Sequence, residues 1–417
     1  MIFGKYYTVF GIIELEEDYE KVEGINIEKN SAFLHERVHY IQDFSTIYGI
    51  IQVIYNLSQY IGNINKVRSG KSVTNVFEPL DGEDQDFIHS IVYWAKGDDF
   101  SYDGACIQCH SIYAVEEDDA YAEYYKDSYP KWQVKTKKQI ILRYDDGGKY
   151  EFGGAAISES MAYLFERFFF GSQDYSHIFP YNACEMLYEY IIGEPCKEIA
   201  ILISLCYAAL MSLFPGATFM ELLYDLKKKK DTIHSMKDVF ALSTSKIESI
   251  NSEILIDELC KRIDMIFPVE IDNPIEVYEK QSMYTREWLK ERYKYISKHE
   301  LEFRDALIWI MEVCEKGKRI SAMACLLDEY GQPLVIDKNG KLYNANDENL
   351  IHILAPFSLW GVLMERKSKC NLYQTCTAYN KKTDAECYMA CWKHECKESL
   401  CLLRYYLYKM GLGDVEF

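Results

Sequence analysis

The sequence lacks a surplus of positive charge. Its 46 Lys and Arg stand against 65 Asp and Glu, a formal net charge of -19. Such a chain repels phosphate backbones and anionic headgroups, which argues against general nucleic-acid or membrane-surface binding. The one basic run, Lys227 to Lys230, reads as a solvated helix end. An uncharged run of bilayer length is also missing. Ile199 to Met220 carries no charge, but Pro215 and Gly216 interrupt it after roughly sixteen residues, about 24 Å of helix. A membrane span needs about 20. The run Leu350 to Met364 is shorter and holds His352 and Pro356. Both runs read as buried core helices. The first twenty residues have no basic stretch, long apolar core or small-residue cleavage site of the kind a secretory signal uses. The expected compartment is therefore the cytoplasm, where the 14 cysteines are thiols or metal ligands before they are disulfides. Internal repeats and low-complexity linkers are absent too.

What is there is ordinary globular composition, 49% apolar and 27% charged over 417 residues, enough for two or three domains. Thirty-five tyrosines offer large buried area with a polar tip. The pattern predicts a mainly α (α+β) chain. Residues 1–15 read as one or two short strands. Asn30 or Ser31 is placed to cap a helix through Phe33, Leu34, Val38 and Ile41. Ile47 to Ile61 reads as its continuation or as a second helix, and 62–85 as a polar loop. An acidic, Tyr-rich stretch spans 97–130. Gln139 to Phe152 reads as a hairpin turning at Asp145, Asp146, Gly147 and Gly148, followed by a helix from Ala156 to Phe169. The middle, 180–330, is helical by periodicity, with pieces such as Ile247 to Ile266 and Ser282 to Lys316. A second hairpin surrounds Lys338, Asn339 and Gly340. Soft boundaries near 180 and 345 divide the chain into 1–180, a helical region 181–345 packing on it, and a Cys-rich region 346–417.

Chemistry concentrates in His35, Glu36, Arg37, Val38 and His39. Two histidines four apart on a helix leave from one face, one turn apart. Both imidazoles can then reach one Zn²⁺ at about 2.0–2.1 Å. Glu36 points about 100° round the helix, where it can take a proton from a water without binding the metal. This is the HExxH arrangement of zinc metallopeptidases. A catalytic zinc usually has a third protein ligand and one open position. Gln42 and Ser45 occupy the positions where the metzincin extension needs Gly and His, so that branch is out. Glu159 is the best candidate, on a helix of little charge that carries small Ala162 one turn on and Glu166 on the same face. His89, His110, His177, Glu166 and the acids near 117 are its rivals. An oxyanion donor, commonly Tyr or His, is also required. Tyr163 and His177 lie nearby in sequence.

With these residues the chain resembles the gluzincin group of zinc peptidases, which includes thermolysin and the zinc aminopeptidases. Their pattern is HExxH followed by a glutamate ligand in E-x-x-A-x-x-x-E, which Glu159, Ala162 and Glu166 match. The resemblance implies a zincin-like helical core in 1–180, Zn²⁺ on His35, His39 and Glu159, and Glu36 as general base. Glu166 and Gln42 are second-layer candidates, Gln42 because it sits three after the second histidine as in several bacterial zinc peptidases. The gap from His39 to Glu159 is longer than these families use. Ser158 stands where many aminopeptidases have Asn, and no Gly-Ala-Met-Glu-Asn motif appears, so the aminopeptidase subgroup is not implied.

Other donor-rich stretches compete. Cys106, Cys109 and His110 spell the haem-attachment pattern, which without export reads as loop thiols or half a zinc site. Cys370, Cys376, Cys387, Cys391, His394, Cys396 and Cys401 form a second metal-site candidate, for structural zinc or an iron–sulfur cluster, or else are buried thiols. Glu36 with His39, and Asp231 with His234, sketch half of a di-iron pattern. The expected function is zinc-dependent hydrolysis of a protein or peptide substrate, with a regulatory protein partner conceivable. The alternative is a non-catalytic helical interaction protein with structural histidines or zinc.

Overall fold

The computed structural model describes residues 4–16, 27–70, 92, 95–98, 107–108, 111–118, 138–145, 147–171, 178–229, 233–244, 252–267, 276–298, 300–313, 318–319, 321, 332–340, 342–343, 353–365, 369–378, 383, 385–389, 391 and 401–413. Helices dominate them, as expected of a mainly α chain. Strands β1 (Gly4–Tyr7) and β2 (Ile12–Leu15) form an antiparallel pair, and β2 runs parallel to β8 (Leu334–Ile336). With β9 (Leu342–Tyr343) they make a four-stranded sheet of order β1-β2-β8-β9. The hairpin expected around Gly340 is the β8–β9 pair, and the one at 139–152 is β5 (Gln139–Tyr144) with β6 (Lys149–Phe152). β4 (Ile112–Asp118) adds a third strand to the second sheet, so this part of the acidic stretch is ordered sheet, with Arg143, opposite Ala114, paired diagonally with Glu116. β3 (Ile107–Gln108) and β7 (Ile178–Phe179) pair with each other.

The first helix, α1, spans Ile27–Ser45. It starts before Asn30 and Ser31, which lie inside it and do not cap it. Thr46 ends it and at once caps α2 (Ile47–Arg68), its hydroxyl accepting from the Gly49 N–H at 3.0 Å. Gly49 is required here, since a Cβ would stand 2.2 Å from the Gln42 carbonyl oxygen. The tight elbow sets α1 and α2 side by side. α2 reaches Arg68, so 62–68 are helix where a polar loop is expected; 71–91 lie outside the described residues. α3 (Gly154–Phe170) follows the hairpin and packs against α1. Its start is close to α2: a Cβ on Gly154 would meet the Tyr48 ring at 2.2 Å.

The uncharged run 199–220 divides into α5 (Ile199–Leu210) and α6 (Pro215–Lys228), after α4 (Ala183–Ile192). Proline at the first turn of α6 starts the new helix. Lys227 and Lys228 end it, exposed to solvent as the basic run was read. Among the described residues no helix is long and apolar enough to cross a membrane. Ser235 and Asp238 form a capping box for α7 (Met236–Ser243). α8 (Ser252–Ile266) packs on α2. The single helix expected from Ser282 to Lys316 is two, α9 (Glu276–Lys298) and α10 (Glu300–Val313). The C-terminal region holds α11 (Leu354–Glu365), α12 (Tyr373–Ala378), α13 (Ala385–Met389) and α14 (Leu402–Lys409). One continuous apolar core reaches from Tyr7 to Leu412, with α1, α2, α3 and α5 contributing heavily. Each fully buried Leu or Phe contributes about 1.5–3 kcal/mol to such a core.

Candidate metal centre

α1 and α3 meet through polar side chains. His35 and His39 face α3 one turn apart, their ring centroids separated by 4.9 Å. Glu159, one turn into α3, faces them. Its Oε2 lies 3.0 Å from His35 Nε2 and its Oε1 3.5 Å from His39 Nε2. One donor atom from each of the three residues falls within 4.8 Å of the others. Among the described residues this is the group of three or more His, Cys, Asp or Glu side chains that could hold a metal ion.

The far sides of both rings are fixed. The Glu166 carboxylate sits 2.5 Å from His35 Nδ1. Gln42 does the same for His39, its Oε1 lying 2.9 Å from Nδ1. The Gln42 amide is oriented by its own Nε2, which donates to the Ser158 carbonyl at 3.0 Å. A carbonyl only accepts, so the NH₂ must face Ser158 and the oxygen must face His39. Both Nδ1 atoms therefore carry hydrogen, and both Nε2 atoms point at Glu159. Partners of this kind set tautomer and ring orientation in metal sites.

Electrostatics follow from this packing. Burial is the largest influence on His35 and favours its neutral form, but the Glu159 and Glu166 carboxylates outweigh it and hold its pKa well above the usual value. Burial likewise opposes charge on His39, and Glu159 reverses the balance upward. Glu159 is half-buried, and although its desolvation opposes charge, the two imidazoles hold it below the usual carboxylate range. Glu36 is pushed up by burial, against the attraction of His35 and His39. It leaves α1 on a neighbouring face toward β1, where a Cβ on Gly4 would stand 3.0 Å from its Cγ. Two Nε2 lone pairs and a carboxylate aimed at one another require a cation between them. Protons fill that requirement in the metal-free protein. A tetrahedral ion with N, N and O donors fits it, and these are donor types zinc takes.

The structure thus brings His35, His39, Glu159, Glu166 and Gln42 together. Glu166 bonds a histidine and does not join the donor group, and the acids Glu116 and Glu117 lie on β4 outside it. His89, His110, His177, Cys106, Cys109 and Asp231 lie outside the described residues, and His234 heads α7, its N–H donating to Asp238. Tyr163 is buried, with its ring against Tyr181 and under Arg167. Tyr181 was not singled out by the sequence. Its ring stands edge-on to His35, centroids 5.8 Å apart. No spacing rule links the two, so no local signal could have found it.

In the C-terminal region Cys370, Cys387 and Cys391 are buried, Cys376 and Cys401 half-buried, and His394 and Cys396 outside the described residues. The Cys391 thiol beside it, and then burial, push the Cys370 thiol up, while Ser358 Oγ lies 3.7 Å from its sulfur. The described thiols do not assemble a group of three donors. No family model, curated protein or solved structure matches the chain, so the centre is interpreted through its own geometry.

Proposed function

We propose that the protein is a zinc-dependent peptidase that hydrolyses peptide bonds in a protein or peptide substrate. The observation that carries this reading is the pair of histidine Nε2 atoms converging on the Glu159 carboxylate, with Glu36 half-buried on the helix that carries both histidines. His35, His39 and Glu159 would hold the ion. Zinc bound there supplies Lewis acidity, which polarises a carbonyl and lowers the pKa of a water molecule toward neutrality. Glu36 takes the proton of the attacking water and returns it to the leaving amine. Its raised pKa suits both halves of that task, because a base of higher pKa accepts the proton more readily. Glu166 and Gln42 hold the two rings so that neither rotates away.

The test is a pair of variants assayed for metal by elemental mass spectrometry and for cleavage of casein and a mixed peptide library. Glu36→Gln should keep about one zinc per chain and lose hydrolysis by several orders of magnitude. His39→Ala should lose both. Wild-type protein that neither contains zinc nor takes it up would overturn the reading and leave a non-catalytic interaction protein. Zinc-loaded wild type that cleaves nothing in the library would restrict zinc to a structural part.

A further inference from the structure

His35 is held on three sides. Glu166 takes its Nδ1, Glu159 faces its Nε2, and the Tyr181 ring stands edge-on at 5.8 Å and 67°. Edge-to-face rings at this separation attract beyond simple burial. Tyr181 is half-buried, whereas His35 is almost closed off. The tyrosine therefore lies on the outer side of the centre.

Its position is not left to a loose turn. Tyr181 follows β7 and precedes α4, and the backbone on both sides of it is tied to α3 by one side chain. Ser160 is fully buried and adjacent in sequence to Glu159. Its hydroxyl donates to the Pro180 carbonyl at 2.8 Å and accepts from the Cys184 N–H at 3.3 Å. Tyr181 lies between those two anchor points. The Tyr163 ring, also from α3, lies tilted against it, centroids 6.2 Å apart. The helix that supplies Glu159 thus also fixes the tyrosine that braces His35.

We propose that Tyr181 is a positioning residue of the metal centre: its ring, presented by a turn that Ser160 pins to α3, holds the His35 imidazole and slows the escape of a bound zinc ion. This rests on the metal-centre reading above. An edge-to-face ring contact of this kind changes an equilibrium or rate by up to about tenfold, so the brace is measurable without any substrate.

The experiment loads each protein with zinc, adds excess chelating indicator, and follows transfer of the metal by absorbance. Tyr181→Ala should release zinc about five- to tenfold faster than wild type. Tyr181→Phe keeps the ring and should stay within about twofold. Ser160→Ala should fall between them. Thermal unfolding of the metal-free proteins is recorded in parallel, and Tyr181→Leu replaces the alanine variant if that variant fails to fold. Release from Tyr181→Ala or Tyr181→Leu at the wild-type rate overturns the proposal. So does Tyr181→Phe releasing as fast as Tyr181→Ala, because the hydroxyl and not the ring would then be acting. Faster release only in proportion to lost thermal stability across all variants overturns it too, as a general loosening. Wild-type protein that binds no zinc is a different result: it sinks the metal-centre reading itself.

Discussion

The α1–α3 interface and the C-terminal thiol region both concentrate metal-ligating atoms, but they arrange them in opposite ways. At the interface two imidazoles and a carboxylate point at one another, with His35 Nε2 and Glu159 Oε2 3.0 Å apart, and partners behind each ring fix the direction. In the C-terminal region the described thiols are divided between buried and half-buried positions and form no group of three. Cys370 packs beside Ser358 and contributes to the main core along with Cys391. The sequence density of donors is higher in the tail. Convergence is higher at the interface. Convergence binds metal, because the ion needs several donors within about 2 Å of one point, whereas a lone buried thiol behaves as a small hydrophobe.

The sharpest way to break this contrast is to remove donors from each region in turn. His35→Ala or His39→Ala should abolish stoichiometric zinc, measured as metal per chain. Cys370→Ala should leave zinc content unchanged. Zinc lost from the cysteine variant and kept by the histidine variants would reverse the assignment of the two regions.

A smaller effect is expected one layer out. Glu166→Gln keeps the shape but replaces the carboxylate that bonds His35 Nδ1. Zinc affinity, read by competition with a chromophoric chelator, should fall about 10- to 100-fold. Gln42→Ala should fall in the lower part of that range, since it removes a neutral acceptor. Equal affinity in both variants and wild type would mean the rings are held by packing alone.

Acidity gives a third test, on metal-free protein. His35 and His39 have raised pKa values when folded. Their contribution to stability is whole below the unfolded imidazole value of about 6.5 and is lost as pH rises through the folded values. Glu159 has a lowered value. Its contribution is whole above the unfolded carboxylate value of about 4.3 and is lost only in strong acid. Glu36 is raised, so it adds to the loss of stability as pH climbs. The chelated protein should therefore be less stable to urea at pH 8.5 than at pH 6, by about 1.4 kcal/mol for each unit of raised pKa crossed. Zinc should flatten the slope, because the ion takes the place of the protons. A flat profile without metal would mean that folding leaves the imidazole pKa values unshifted, and stability rising with pH would mean that the imidazoles are neutral in the folded state.

The smallest effect separates the tail as core from the tail as site. Cys370→Ala should cost about 1 kcal/mol in denaturant unfolding, with the same loss in zinc-loaded and metal-free protein. A loss seen only with zinc present would make Cys370 a ligand.

Much of this was legible in the chain. The hairpin at 139–152, the strands before residue 16 and the glycine-marked hairpin at 340 are read from turn chemistry and alternation, which act over a few residues. Helix ends were less legible. Asn30 and Ser31 look like caps, yet α1 begins at Ile27, one turn earlier than the local start signal. The sequence from Ser282 to Val313 has no Gly or Pro, so periodicity reads α9 and α10 as one helix.

The candidate centre divides along the same line. His35, Glu36 and His39 owe their relation to the helix period alone: four residues make one turn, so two imidazoles must share a face and the glutamate between them must leave on another. That is local geometry, and the sequence by itself determined it. Sequence could nominate Glu159, Glu166 and Gln42 but could not bring them to their partners. Only the packing of α1 on α3 decided which carboxylate meets the Nε2 atoms, which one takes an Nδ1, and that the Ser158 carbonyl orients Gln42. Only the turn before α4, tied down by Ser160, decided that Tyr181 stands against His35. Contacts between residues distant in the chain are fixed by how helices close over a shared core, and no spacing rule encodes that distance.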